Sequence, residues 1–177
     1  MPIFDLIALV LSVGGNVVLA LLVFRRNPRS ATNKLFALLG GVFALWAVAT
    51  FFAVHTKTQP SAVFWVRSVM FLAVPQSVLF MLLMHTFPRA TLAFHPRVLA
   101  LLIGIAMAVM FIASSPYLFP EIRLVSGRAP QPSPGPGLIA FVPLAVGSVL
   151  LGIFYLIRKN VVARGMERAQ TQYLLVG

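Results

Sequence analysis

Arg67, Asp5, His85, Gln76 and Asn16 are the polar side chains placed where chemistry could occur among apolar residues, and Trp65 and Pro75 shape the stretch 64–88 that holds three of them. An arginine at a helix centre in hydrocarbon costs about 2.5–3.5 kcal/mol on insertion scales. Arg67 must therefore snorkel to the interface, find a partner or line a wet cavity. Its structural roles are an ion pair with Asp5 or contact with headgroups; its functional role is to hold an anionic headgroup or a small acid. Asn16 and Gln76 sit near mid-span, where polar side chains usually join helices for roughly 0.6–2 kcal/mol each. His85 would titrate in the physiological range if solvated, although a lone histidine at a helix end more often bonds a carbonyl or water.

Catalysis is not expected from these residues. The sequence has three acids, which leaves almost no general acid or base. It contains no His-Glu-x-x-His zinc helix, phosphate-cradling glycine loop or Gly-x-Ser-x-Gly elbow. Ser77 and His85 would make a poor nucleophile–base pair, because eight residues separate them by about 12 Å along a helix. With no cysteine, disulfides, thiolate metal sites and thiol chemistry are excluded. The 15 phenylalanines and seven methionines read as core or lipid-facing filler. No catalytic residue, metal or cofactor is assigned.

The elements that must position Arg67 and its companions follow from composition. Of 177 residues, 60% are hydrophobic and 10% charged, and the mean hydropathy is +0.97. That composition predicts an all-α, polytopic transmembrane bundle. Five complete spans are expected at about 3–24, 35–54, 61–87, 98–114 and 138–157, with a sixth opening from about 172. The first is no signal peptide, because it lacks a basic leader and its apolar run is too long. Asn27-Pro28 supplies a turn, and Ser30 or Thr32 a cap for the second span. Pro75 should kink the third. The long connection 115–137 ends in Pro130-Gln-Pro-Ser-Pro-Gly-Pro-Gly137, which forbids regular helix and predicts a plain surface loop. Residues 158–171 read as a basic helical connector. The last residues look like the opening turns of a span, so the sequence is expected to be part of a longer one.

Orientation follows from the charges. The first, third and fifth connections hold ten Lys and Arg, the second and fourth three. The odd connections should then be cytoplasmic and the N-terminus outside. Asp5 and Arg67 would share the outer leaflet, Arg67 about 10 Å below the start of its helix. The net charge of +11 thus encodes topology. Nucleic-acid binding is not expected, because no basic patch is interleaved with exposed aromatics.

Certain spaced residues resemble the seven-helix membrane sensor region found at the N-terminus of bacterial histidine kinases and of some diguanylate cyclases. They are Asn33-Lys34-Leu35-Phe36 with Leu45-Trp46, then Trp65-x-Arg67 with Pro75 and Thr86-Phe87-Pro88-Arg89, and finally Arg168-Ala-Gln-Thr-Gln-Tyr173-Leu-Leu-Val-Gly177. The resemblance spans essentially the whole chain and departs from the family by stopping at the sixth helix. It implies a single sensory input domain in the bacterial inner membrane, detecting an unidentified small-molecule or lipid ligand and relaying to a cytoplasmic kinase or cyclase module. It also implies a homodimer, since the resembled kinases work as dimers. The small faces at Gly14-Gly15, Gly40-Gly41, Gly104/Ala108 and Ser148/Gly152 by default pack helices within one chain. The other reading is a small multi-span transporter or membrane-complex subunit in which Arg67, Asn16 and Gln76 line a path. No internal repeat supports it.

Overall fold

The computed structural model describes residues 3–87, 94–124 and 129–162. Five helices account for most of them: α1 (Ile3–Arg26), α2 (Ala31–His55), α3 (Gln59–Thr86), α4 (Pro96–Ser114) and α5 (Leu138–Val162). All five are long and apolar enough to cross a membrane. The 24 residues of α1 extend about 36 Å, against a hydrocarbon core of about 30 Å. The chain is an all-α membrane bundle.

Local chemistry sets the helix ends. Asn27 forms the turn into α2, its side-chain oxygen accepting from the Arg29 N–H (3.1 Å) and its carbonyl from Ser30 N–H (3.2 Å). Ser30 occupies the N-cap position, but its side chain makes no cap bond, so capping there is by backbone geometry alone. Pro60 and Pro96 stand in the first turns of α3 and α4, where a missing N–H costs nothing. α2 starts four residues before the expected span. α5 runs five residues past its expected end, taking up the first part of the basic connector. α3 continues through Pro75 without interruption.

The packing centres on α3, which contacts α2, α4 and α5, while α1 packs on α2. The second half of α3 is the core: Val74, Ser77, Val78, Met81 to Met84 and Thr86 are all buried. On α1 only Ala20 is buried, and its large apolar side chains face outward. Outside a bilayer such a surface would be untenable. Two glycines set close approaches. A Cβ on Gly40 would stand 3.0 Å from the Ala20 Cβ and 3.2 Å from the Asn16 carbonyl, which fixes α1 against α2. One on Gly152 would stand 2.9 Å from the Phe80 ring and 3.2 Å from the Met81 Cα, which fixes α5 against α3.

The connection between α4 and α5 is more than a plain loop. Strands β1 (Ile122–Arg123) and β2 (Gln131–Pro132) pair antiparallel, with Ile122 opposite Pro132. Ser133, Gly135 and Gly137 donate backbone bonds to Glu121, Leu118 and Tyr117 at 2.8–2.9 Å. Leu118, Phe119 and Ile122 are buried in the same core as α3. Gly135 is required by space, since a Cβ would lie 2.4 Å from the Tyr117 carbonyl oxygen. The hairpin is held to the start of α3, where the Gln59 amide donates to the Ile122 carbonyl. The bundle thus has a hairpin end and a basic end, the latter carrying Arg25, Arg26, Arg29, Lys34, Arg97, Arg158 and Lys159.

Candidate functional site

Helix α3 carries Arg67, Gln76 and His85 at about 12, 26 and 39 Å from its first residue, so the three stand near the hairpin end, mid-span and the basic end. Their surroundings differ.

Arg67 lies beneath the loop that follows α4. Its Nη2 donates to the Phe119 carbonyl at 3.5 Å, the outer limit of a hydrogen bond. Its Nε is buried with no acceptor. The expected pairing with Asp5 is not formed. Asp5 instead sits 3.2 Å from His55 Nε2 at the end of α2, because α1 packs on α2 and does not bring Asp5 to Arg67. His55 Nδ1 lies 2.8 Å from the Phe51 carbonyl, so both ring nitrogens face acceptors. Glu121 is engaged by Arg123 at 2.9 Å, and Glu167 lies outside the described residues. Among the described residues, then, no carboxylate neutralises Arg67. Beside it is a cavity of about 690 Å³ between α2, α3 and the end of α4, lined by Trp65, Arg67, Ser68 and Ser114 among apolar groups. Trp65 stacks on Phe52 of α2 with centroids 4.7 Å apart.

At mid-span the polar groups do not converge. Gln76 lines a separate cavity of about 470 Å³ facing α5, its Oε1 buried and without a donor. Asn16 donates to the Ser12 carbonyl of its own helix (2.8 Å). It joins α1 to α2 through its backbone at Gly40, not through its amide. Near Pro75, the Ser77 hydroxyl donates to the Val74 carbonyl at 2.9 Å.

At the basic end, the His85 ring packs between Phe94 (centroids 4.0 Å) and Tyr155 (4.8 Å). The Lys159 ammonium of α5 reaches across to the end of α3, donating to the carbonyls of Met84 (2.9 Å), His85 and Phe87. Pro88 has no N–H, so the Met84 carbonyl cannot receive the usual i+4 bond and an outside donor is needed. Asn33 plays the equivalent part for α1, donating from α2 to the Val23 carbonyl at 2.9 Å.

Sequence reasoning missed His55, Lys159 and Phe119. His55 was discoverable as a helix-end histidine on the same side as Asp5, had histidines been counted with the charges. Lys159 was signalled by the missing N–H of Pro88 in the sequence, whereas Phe119 acts through its backbone and left no signal. Chemically, the arrangement offers a guanidinium that no described carboxylate neutralises, beside an apolar cavity, and a lysine tying two helix ends. Among the described residues, no three His, Asp or Glu come together to hold a metal. A family profile described as the N-terminal 7TM region of histidine kinase matches residues 8–177. No curated protein and no solved structure matches the chain.

Proposed function

The chain belongs to the family of N-terminal 7TM regions of histidine kinase, and from that premise we propose that it receives an external or intramembrane signal and relays it to a cytoplasmic output module. The observation that carries the reading is the position of α3. It packs against α2, α4, α5 and the hairpin, has an unneutralised arginine at one end, and is tied to α5 by Lys159 at the other. A change at Arg67 is transmitted through the buried second half of α3 to α5, the last described helix before the output side. In this proposal the protein lies in the bacterial inner membrane, with the hairpin end outside and the basic end in the cytoplasm, as its charge distribution favours. The polar groups at Arg67, Asn16 and Gln76 face different surroundings, which speaks against a transport path lined by all three.

The chain has no cysteine of its own, so a labelling test is direct once any cysteine elsewhere in the protein is replaced by serine. Single cysteines replacing Lys57 and Arg158 are introduced into the protein that carries this chain. Lys57→Cys should react with an impermeant maleimide on intact spheroplasts, and Arg158→Cys only after permeabilisation. Autophosphorylation in membranes should then shift in Arg67→Gln. Reversed labelling, or output indifferent to Arg67, would remove the proposal.

A further inference from the structure

We infer that the cavity beside Arg67 binds a single-chain amphiphile with a singly charged carboxylate head, taken up laterally from the bilayer. The inference rests on the sensory reading for its consequence in signalling; the binding itself follows from the site. The cavity, about 690 Å³, falls in the range of about 300–1,000 Å³ that holds one drug-sized ligand. Its walls come from three helices, and the side chains at its mouth, Leu45 (59% exposed), Phe64 (61%) and Phe71 (36%), are apolar and face where lipid must lie. Entry is therefore from hydrocarbon, and most of the occupant must be apolar.

The head group follows from charge and donor count. Among the described residues, Arg67 is the single charged one lining the cavity, and no carboxylate neutralises it. Its Nε–H is buried without an acceptor, and its bond to Phe119 is at the limit of length. A guanidinium in this setting gains most from an anion that accepts from its planar fork. The two hydroxyls in the lining are already engaged as donors. Ser68 gives its proton to the Phe64 carbonyl (2.8 Å) and Ser114 to that of Phe111 (2.9 Å), leaving only lone pairs toward the cavity. A phosphate monoester, with more charge and more acceptor oxygens, would meet too few donors, and the singly charged phosphodiester of a phospholipid is told apart from a carboxylate by the phosphatidylglycerol arm of the test below. One carboxylate against one guanidinium balances the charge and accepts from two donors of the fork.

The chain has two tryptophans, Trp46 and Trp65. In the 177-residue chain carrying Trp46→Phe, Trp65 in the cavity wall is the remaining tryptophan and serves as the reporter. The protein is placed in phosphatidylcholine nanodiscs and titrated with 9,10-dibromostearic acid, whose bromines quench indole fluorescence on contact. Saturable quenching is expected, with its methyl ester failing to saturate over the same range and Arg67→Gln weakening binding by about tenfold or more. Arg67→Lys, which keeps the charge but loses the fork, should fall between. The inference is overturned if acid and ester quench alike, if Arg67→Gln binds as wild type, or if brominated phosphatidylglycerol quenches at the acid's concentrations. Should Arg67→Gln not fold, the acid–ester comparison on folded protein decides. Stearic acid is then added to membranes holding the complete kinase. Binding without a change in autophosphorylation would keep the site and sink its signalling role. Output that depends on Arg67 without acid binding would keep the sensory reading and sink the ligand.

Discussion

Replacing Lys159 by methionine removes a charged group that joins the end of α3 to α5 while keeping most of the aliphatic stem. The ammonium donates to the carbonyls of Met84, His85 and Phe87, all at a helix end whose last oxygens lack intrahelical donors. A hydrogen bond from a charged donor contributes about 1.5–3 kcal/mol net, and a cation at a helix C-terminus about 0.3–1 kcal/mol. The bonds share one charge, and Lys159 is only half-buried, so they do not add in full. A loss of about 2 kcal/mol is expected for Lys159→Met, with Lys159→Arg recovering part of it. Reversible unfolding in mixed micelles, followed by far-ultraviolet circular dichroism, measures this directly. A loss below about 0.5 kcal/mol, the scale of an ordinary surface substitution, would refute the argument that Lys159 holds the two helices together.

Gly152→Val should destabilise the bundle by about 1–3 kcal/mol through overpacking against Phe80 and the Met81 backbone. Gly41→Ala, where nothing lies within 4 Å of the added Cβ, should be neutral or slightly stabilising in the same unfolding assay. A double-mutant cycle on Asp5→Asn and His55→Gln should give a coupling of about 0.2–1 kcal/mol, as for a half-exposed pair. The matching cycle on Asp5 and Arg67 should be additive, and coupling there would contradict the placement of α1.

Composition and period were enough to find five spans, because about 20 apolar residues in a row have no other stable setting. The ends were harder to read. α2 starts earlier than hydropathy suggests because the Asn27 turn lets the helix begin at Ala31, inside the polar segment. α5 runs on through Arg158 and Lys159 because helix geometry does not stop where hydropathy does. Partner choice was illegible for Asp5: charge counting placed it on the side of Arg67, but which helix α1 lies against is decided by the fit of Ala20 and Asn16 at Gly40. A proline-rich connection gave no hint of burying Leu118, Phe119 and Ile122, since the apolar residues responsible precede the prolines. The expected sixth span and most of the expected connector lie outside the described residues. Arg67 itself was legible, because a charge in an apolar run demands an explanation whatever surrounds it.

If α3 relays a signal, Arg67 and Lys159 act on one element from opposite ends. On the proposed reading, in which a kinase module follows this chain, the decisive measurement is autophosphorylation in native membranes of the protein that carries it, for wild type, Arg67→Gln, Lys159→Met and the double variant, with each confirmed as inserted and folded. The account predicts that each single substitution shifts the rate and that the double variant goes no further than the stronger single one. Independent, multiplicative effects, or no effect of either, would contradict it.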